Sequence, residues 1–303
     1  MPALNTSMQG KVCMVTGANS GIGKATAMGL ASMGATVVMV CRDRTRGEEA
    51  RQEIKHHSGN EAVDLLLADF SSQQAIRQLA QEFQQRYTQL HVLVNNVGSI
   101  FPERQVSIDG IEMTFAVNHL ASFLLTNLLL ETLKASAPAR IVNVASASQT
   151  RSIHLDDLES EKKYRPLQAY GQSKLATVLF TYALAERLAG TGVTVNCLHP
   201  GTVATNIIDR GFPPFARPLA GIIKRFFITP EQGAQTSLYL ATSPEVEGVT
   251  GKYFVRCQQK PSVLISYDPS LQERLWKVSA AISHLASSPE TNVSSHHLSL
   301  HQE

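Results

Sequence analysis

Tyr170 and Lys174 lie four residues apart in Ala169-Tyr170-Gly171-Gln172-Ser173-Lys174-Leu175-Ala176, within a strongly helical stretch. One helical turn places the phenol and the ammonium on one face. A free phenol, with a pKa near ~10, exchanges protons poorly at neutral pH, and a neighbouring cation favours its phenolate. Such a pair suits proton transfer to and from the oxygen of a carbonyl/alcohol couple. A second cluster is of a different kind. Thr16-Gly17-Ala18-Asn19-Ser20-Gly21-Ile22-Gly23 stands between an apolar run and a helical pattern. Glycines there let backbone approach a pyrophosphate at a helix N-terminus. Gly17, Asn19, Ser20, Gly21, Ile22 and Gly23 are therefore candidate dinucleotide contacts.

Cofactor type is read at Cys41-Arg42, with Arg46 one helical turn on. A carboxylate at this place would accept from a free ribose 2′-hydroxyl, whereas a guanidinium pairs with a 2′-phosphate. Arg42 thus predicts NADP(H) over NAD(H), with a local bias of charge at Arg42, Arg44 and Arg46. Asp43 beside it is the alternative, turning toward the ribose. Asp69 is expected either at the adenine edge or as the N-cap of the next helix.

The elements that must position these groups alternate along the chain. Strands are expected at 12–15, 36–40, 63–67, 92–94, 140–144, 194–198 and 253–255, with helices at about 23–33, 46–56 and 73–87. Near-continuous apolar strands between amphipathic helices imply an α/β fold: a doubly wound parallel sheet of about seven strands, helices on both faces. The domain is expected over 10–285, after an N-terminal extension at 1–9 and before a disordered Ser- and His-rich tail at 286–303. Residues 211–229 (GFPPFARPLAGIIKRFFIT) fit no strand. They read as a substrate lid, a packed excursion or a membrane-surface helix.

Composition excludes several classes. The 303 residues carry 27 basic and 25 acidic side chains, a net charge of +2, too little for a nucleic-acid binder. Cys13, Cys41, Cys197 and Cys257 form no Cys-x-x-Cys pair, so free thiols are expected instead of a disulfide framework or zinc site. No His/Asp/Glu cluster has metal-ligand spacing, and no metal is expected. No apolar stretch at the N-terminus or elsewhere suggests a signal or a transmembrane segment. The expected location is cytoplasmic or peripheral to an intracellular membrane.

Taken together, Thr16 to Gly23, Asn95-Asn96-Val97-Gly98, Val117-Asn118-His119, Val142-Asn143-Val144-Ala145-Ser146, Tyr170-x-x-x-Lys174 and Pro200-Gly201 resemble the short-chain dehydrogenase/reductase family. The resemblance covers roughly residues 8–280 and implies a single Rossmann-type domain. Cys41-Arg42-Asp43, Asp156-Asp157-Leu158 and Lys174 to Phe180 look most like its retinol-dehydrogenase branch. The family pattern differs at Val97, where Ala is usual, and at Ala145, where Ser is common. What the resemblance implies is a catalytic tetrad. Tyr170 would be the acid/base, and Lys174 would lower its pKa and hold the nicotinamide ribose. Ser146, preferred over Ser148, would hydrogen-bond the substrate oxygen, and Asn118 would hold a water leading from Lys174 to solvent. Asn96, Val203 and Thr205 join the implied cofactor contacts. His119 is expected to be packed, and His199 to make a structural hydrogen bond.

These expectations converge on an NADP(H)-dependent oxidoreductase for an apolar aldehyde, ketone or alcohol, with a retinoid-like compound as one possible substrate. The alternative is an inactive dinucleotide-binding or membrane-surface protein of the same fold. No Gly-x-Ser-x-Gly elbow surrounds Ser146, which argues against a hydrolase. The pocket would be shaped by 99–104, 147–164 and 202–229. Apolar surface on the helices near 121–133 and 173–188 predicts a homodimer or homotetramer, pairing as the family's equivalent helices do.

Overall fold

The computed structural model describes residues 6–201 and 228–285. Its strands are β1 (Val12–Thr16), β2 (Thr36–Cys41), β3 (Val63–Leu67), β4 (Val92–Asn95), β5 (Ala139–Val144), β6 (Val193–His199), β7 (Tyr253–Val255) and β8 (Gln258–Lys260). They form one sheet in the order β3-β2-β1-β4-β5-β6-β7-β8. All neighbours are parallel except β7 and β8. The helices are α1 (Gly21–Ser32), α2 (Arg44–Ser58), α3 (Gln73–Arg86), α4 (Met113–Phe115), α5 (Ala121–Leu128), α6 (Leu130–Ala135), α7 (Pro166–Arg187), α8 (Pro230–Thr242) and α9 (Pro269–Ile282).

Strand residues are buried toward both faces because each face has its own helical layer. Cys13, Val15, Val37 and Met39 pack under α1, α2 and α8 through Ala27, Leu30, Ile54 and Leu238. Met14, Val38, Leu93 and Ile141 face the other way, against Phe83 of α3, Leu124 of α5 and Leu184 of α7. That two-sided burial is why the strands read as apolar runs and not as alternating ones. Met8 reaches the first cluster, and its N–H donates to the Met33 carbonyl at 2.8 Å.

The expected seven strands become eight. β8 pairs antiparallel with β7 through a two-residue turn, Arg256-Cys257, in which both residues have positive φ (52° and 61°). Neither residue announces such a turn, which Asn and Gly usually supply. All three β8 residues are exposed and polar, so no apolar alternation marks the strand. α1 begins at Gly21, earlier than expected, because glycines of low helix propensity open its first turn. α2 is longer at both ends. Asp43 caps its start by accepting from the Arg46 N–H at 2.9 Å, and Gly59 closes it with φ 66°.

The last helix crosses back over the second layer. Trp276 of α9 sits edge-on to Phe123 at 5.0 Å and beside Phe180 at 5.9 Å, with the Arg187 guanidinium 4.1 Å from its ring centre. Arg187 also pairs with Glu273. α9 thus covers part of the apolar surface of α5 and α7 on which self-pairing was expected. Among the described residues, no helix is long and apolar enough to cross a membrane. The tail at 286–303 and residues 202–227, with most of the expected lid, Val203 and Thr205, lie outside the described residues.

Candidate active site

Strand order reverses between β1 and β4, and a doubly wound sheet opens a crevice at such a point beyond the strands' carboxyl ends. Here a cleft of about 580 Å³ runs from the β2–α2 junction to α7. At its centre is the β1–α1 turn. Gly17 and Gly21 have φ of +67° and +55°. A Cβ on Gly23 would lie 2.3 Å from the Gly17 carbonyl oxygen and 2.4 Å from Asn96 Nδ2, so only glycine lets α1 seat there. Asn96 straps the reversal point, its Nδ2 donating to the Thr16 carbonyl at 2.8 Å. Ser20, at the N-cap position, makes no side-chain capping bond. The first turn of α1 is thus not closed off by its own cap, as an anion site requires.

Cys41, Arg42, Asp43 and Arg46 line one end. Asp43, noted as an alternative ribose ligand, also caps α2, its Oδ1 accepting from the Arg46 N–H at 2.9 Å. Asp69 also lines the cleft, and its carboxylate accepts from the N–H and hydroxyl of Ser71, at 2.9 and 2.8 Å. The N-cap role considered for Asp69 belongs to Ser72, whose Oγ accepts from the Ala75 N–H at 3.3 Å.

At the other end the structure brings together Ser146, Tyr170, Lys174 and Asn118. Ser146 follows β5 directly. Its carbonyl is held by Gln149 Nε2 (2.9 Å) and the Tyr253 hydroxyl (3.1 Å). The Ser146 hydroxyl accepts from the Ser148 N–H at 3.1 Å and stands close enough to the Tyr170 phenol to favour its ionised form, while the Ser148 side chain is exposed. Burial pushes the Tyr170 pKa up, and the nearby Ser146 hydroxyl opposes it. Lys174 is 3% exposed, and burial brings its pKa down to about 8. Its Nζ donates to the Val144 carbonyl at 2.8 Å and lies 5.8 Å from the centre of the Tyr170 ring. Desolvation of the half-buried ring is the larger influence on the phenol, and the Ser146 hydroxyl the smaller, opposing one.

Asn118 sits in a five-residue π-helix, Ala116–Leu120, between α4 and α5. Its amide is committed to protein groups. Oδ1 accepts from the Ser99 N–H at 2.8 Å, and Nδ2 donates to the Ser99 carbonyl and Ser173 Oγ, each at 2.9 Å. Ser173 in turn donates to the Tyr170 carbonyl at 2.7 Å. Asn118 therefore ties the β4 exit to the helix turn that bears Tyr170. Gly98 lies between Asn118 Oδ1 and Lys174 Nζ, 3.6 and 3.0 Å from where its Cβ would be. His119 is fully buried against α9, its Nε2 2.8 Å from Ser279 Oγ.

Phe101, Gln105, Met113 and Val117 also line the cleft. The last three were missed in the sequence. The signal for Met113 and Val117 was their spacing: one helical turn apart and just before Asn118, they share a face. Ser173 was missed because a serine inside a helix reads as neutral.

The donor set fits a dinucleotide: an uncapped helix start behind a glycine turn, guanidiniums at one end and a buried ammonium at the other. The model of the short chain dehydrogenase family matches residues 11–212. The chain belongs to that family. It is 46% identical to human retinol dehydrogenase 14 over 288 residues, 90% of this chain and 86% of that protein. It is 44% identical to human retinol dehydrogenase 12, covering 92% of this chain and 88% of that one. A solved structure from Mycobacterium paratuberculosis superposes with a TM-score of 0.75 at 30% identity, over 92% of this chain and 95% of the other. The RhlG/NADP active-site complex of Pseudomonas aeruginosa gives 0.65 at 27% identity, over 84% and 96%. The family, its retinol dehydrogenase-like branch and the doubly wound fold read from the motifs all stand.

Proposed function

We propose that the chain is an NADP(H)-dependent oxidoreductase that interconverts an apolar aldehyde or ketone, retinoid-like compounds included, with its alcohol. One observation carries this reading. A half-buried Tyr170 phenol, beside the Ser146 hydroxyl and flanked by Lys174, ends a cleft whose far end holds Arg42 and Arg46. Arg42 and Arg46 would hold a 2′-phosphate, the start of α1 the pyrophosphate, and Tyr170 and Lys174 the nicotinamide ribose. The chemistry a reduced nicotinamide would bring to that place is hydride supply to the carbonyl carbon.

The residues do the proton work. In reduction the Ser146 hydroxyl bonds the carbonyl oxygen, and Tyr170 gives its proton to that oxygen as negative charge builds on it. In oxidation Tyr170 takes the alcohol's proton. The raised pKa keeps the phenol protonated at neutral pH, which suits the reductive direction. Lys174, at about 8, is mostly a cation at pH 7 and stabilises the phenolate left after transfer. Phe101, Met113 and Val117 give the substrate end an apolar lining, which supports an apolar carbonyl compound. The retinol dehydrogenase relatives point the same way.

The deciding experiment is Tyr170→Phe. Turnover with NADPH and a panel of retinoid, steroid, fatty and aromatic carbonyls should fall by about a hundredfold or more, while NADPH binding persists. Retention of most activity would remove Tyr170 from this role. A homodimer or homotetramer would pair through what α9 leaves open on α5 and α7. A species of 33 kDa in sedimentation at micromolar concentration would count against such pairing.

A further inference from the structure

Residues 96–104 leave β4 without forming a helix or strand, yet Phe101 from this segment lines the substrate end of the cleft. Pro102 has no N–H to contribute to any ladder. What holds the segment comes from across the site. The Tyr164 hydroxyl donates to the Phe101 carbonyl at 2.7 Å. With its proton used there, it accepts from Thr114 Oγ1 at 3.2 Å, and Thr114 is fully buried on α4 beside Met113. Three residues along, Arg104 Nε donates to the Glu159 carbonyl at 2.9 Å, and its guanidinium faces the Glu159 and Glu161 carboxylates at 4.0 and 3.9 Å. The segment carrying Glu159, Glu161 and Tyr164 leads straight into α7, the helix of Tyr170.

We infer that Tyr164 is a positioning residue for substrate: its hydroxyl fixes Phe101 and Met113, two of the apolar residues lining the cleft, relative to the helix that carries the acid/base. This rests on the proposed carbonyl/alcohol activity, but its geometry does not depend on it. Backbone joins only two of the three elements at this junction, through a short bridge beyond Arg104 in which the Met113 N–H donates to the Gln105 carbonyl at 2.9 Å, so losing one oxygen frees the Phe101 carbonyl without emptying the site. Burial raises the Tyr164 pKa, which keeps the phenol a donor throughout the neutral range.

The test is Tyr164→Phe in the full chain, which keeps the ring and removes the oxygen. For a bulky apolar carbonyl the KM should rise about fivefold, as the loss of one neutral hydrogen bond implies. The kcat, the pH profile set by Tyr170 and the affinity for NADPH should stay close to wild type. The ratio of kcat/KM between bulky and short-chain carbonyls should shrink by a similar factor. Hydrogen exchange on the unliganded protein supplies a readout free of activity: amides in 99–106 should exchange faster in the variant, with α1 and β1 unchanged. Thr114→Val, which leaves the bond to Phe101 in place, should move neither reading by as much. Unchanged KM together with unchanged exchange overturns the inference, as does a fall in kcat at constant KM. Faster exchange in a chain that reduces none of the carbonyls would sink the proposed activity and leave the positioning role standing.

Discussion

Gly98→Ala offers the sharpest test of how Lys174 is held. Gly98 has no left-handed φ, so alanine meets no backbone strain there. Its new methyl would lie 3.0 Å from Lys174 Nζ and 3.7 Å from Cε. Ordinary contact begins at 3.4 Å, so the ammonium must retreat by 0.4 Å or more. The same ammonium donates to the Val144 carbonyl at 2.8 Å, and a shift of that size strains or breaks this bond. A buried charge-assisted hydrogen bond is worth roughly 1.5–3 kcal/mol. If that loss falls on the transition state, kcat drops about 10- to 100-fold. The methyl displaces one flexible side chain, so the unfolding midpoint should move by only about 2–4 °C. The assay is steady-state NADPH oxidation with an aromatic or fatty aldehyde, beside NADPH titration and a thermal scan. A folded variant whose kcat stays within about twofold of wild type would show that Nζ is not confined by this contact, and the reasoning would fall.

Three further outcomes are expected. Replacing both Arg42 and Arg46 by Gln should weaken NADPH binding by about 10- to 100-fold and leave NADH binding nearly unchanged; equal losses for both cofactors would count against a 2′-phosphate site. His119 is buried neutral, with its pKa down from 6.5 to about 3, whereas the unfolded chain takes up that proton below about pH 6.5. Stability should therefore fall as pH drops from about 6.5 toward 3, by up to about 1.4 kcal/mol per unit. His119→Gln should flatten that acid limb in urea titrations at stepped pH, and an equally steep variant would refute the assignment. Trp276→Ala should cost about 3 kcal/mol, since it removes the ring shared by Phe123, Phe180 and Arg187; urea unfolding reads it, and a loss below about 1 kcal/mol would mean that α9 packs loosely.

Much of the fold was legible because buried parallel strands announce themselves. Val37 to Val40 must be apolar toward both faces, and the glycines of the first turn have no substitute at Gly23. The Tyr170 and Lys174 pair was equally visible, since one helical turn makes them neighbours, whereas Ser146 and Asn118 joined it only through the family resemblance. What escaped notice depends on partners distant in the chain. Asp43 is a cap only because α2 begins at Arg44, and Asp69 is no cap because Ser72 stands nearer the helix. β8 has neither apolar residues nor a typical turn. Tyr164 gains its place from Phe101, 63 residues away, and nothing local encodes that meeting.

α9 has a consequence for how the chain is made. Gln73 Nε2 of α3 donates to the Ile282 carbonyl across 209 residues, and Arg77 donates to the Ser283 carbonyl across 206. His119 meets Ser279 across 160. Contacts of such separation close late, and a nascent chain folds its early portions first. During synthesis the aromatic pocket around Phe123 and Phe180 therefore stands open until residues 269–282 have left the ribosome. A message truncated before codon 269 would yield a product with most of its sheet and that pocket exposed to chaperones and proteases. By what it hides, α9 thus separates chains that have been made past residue 282 from those that have not.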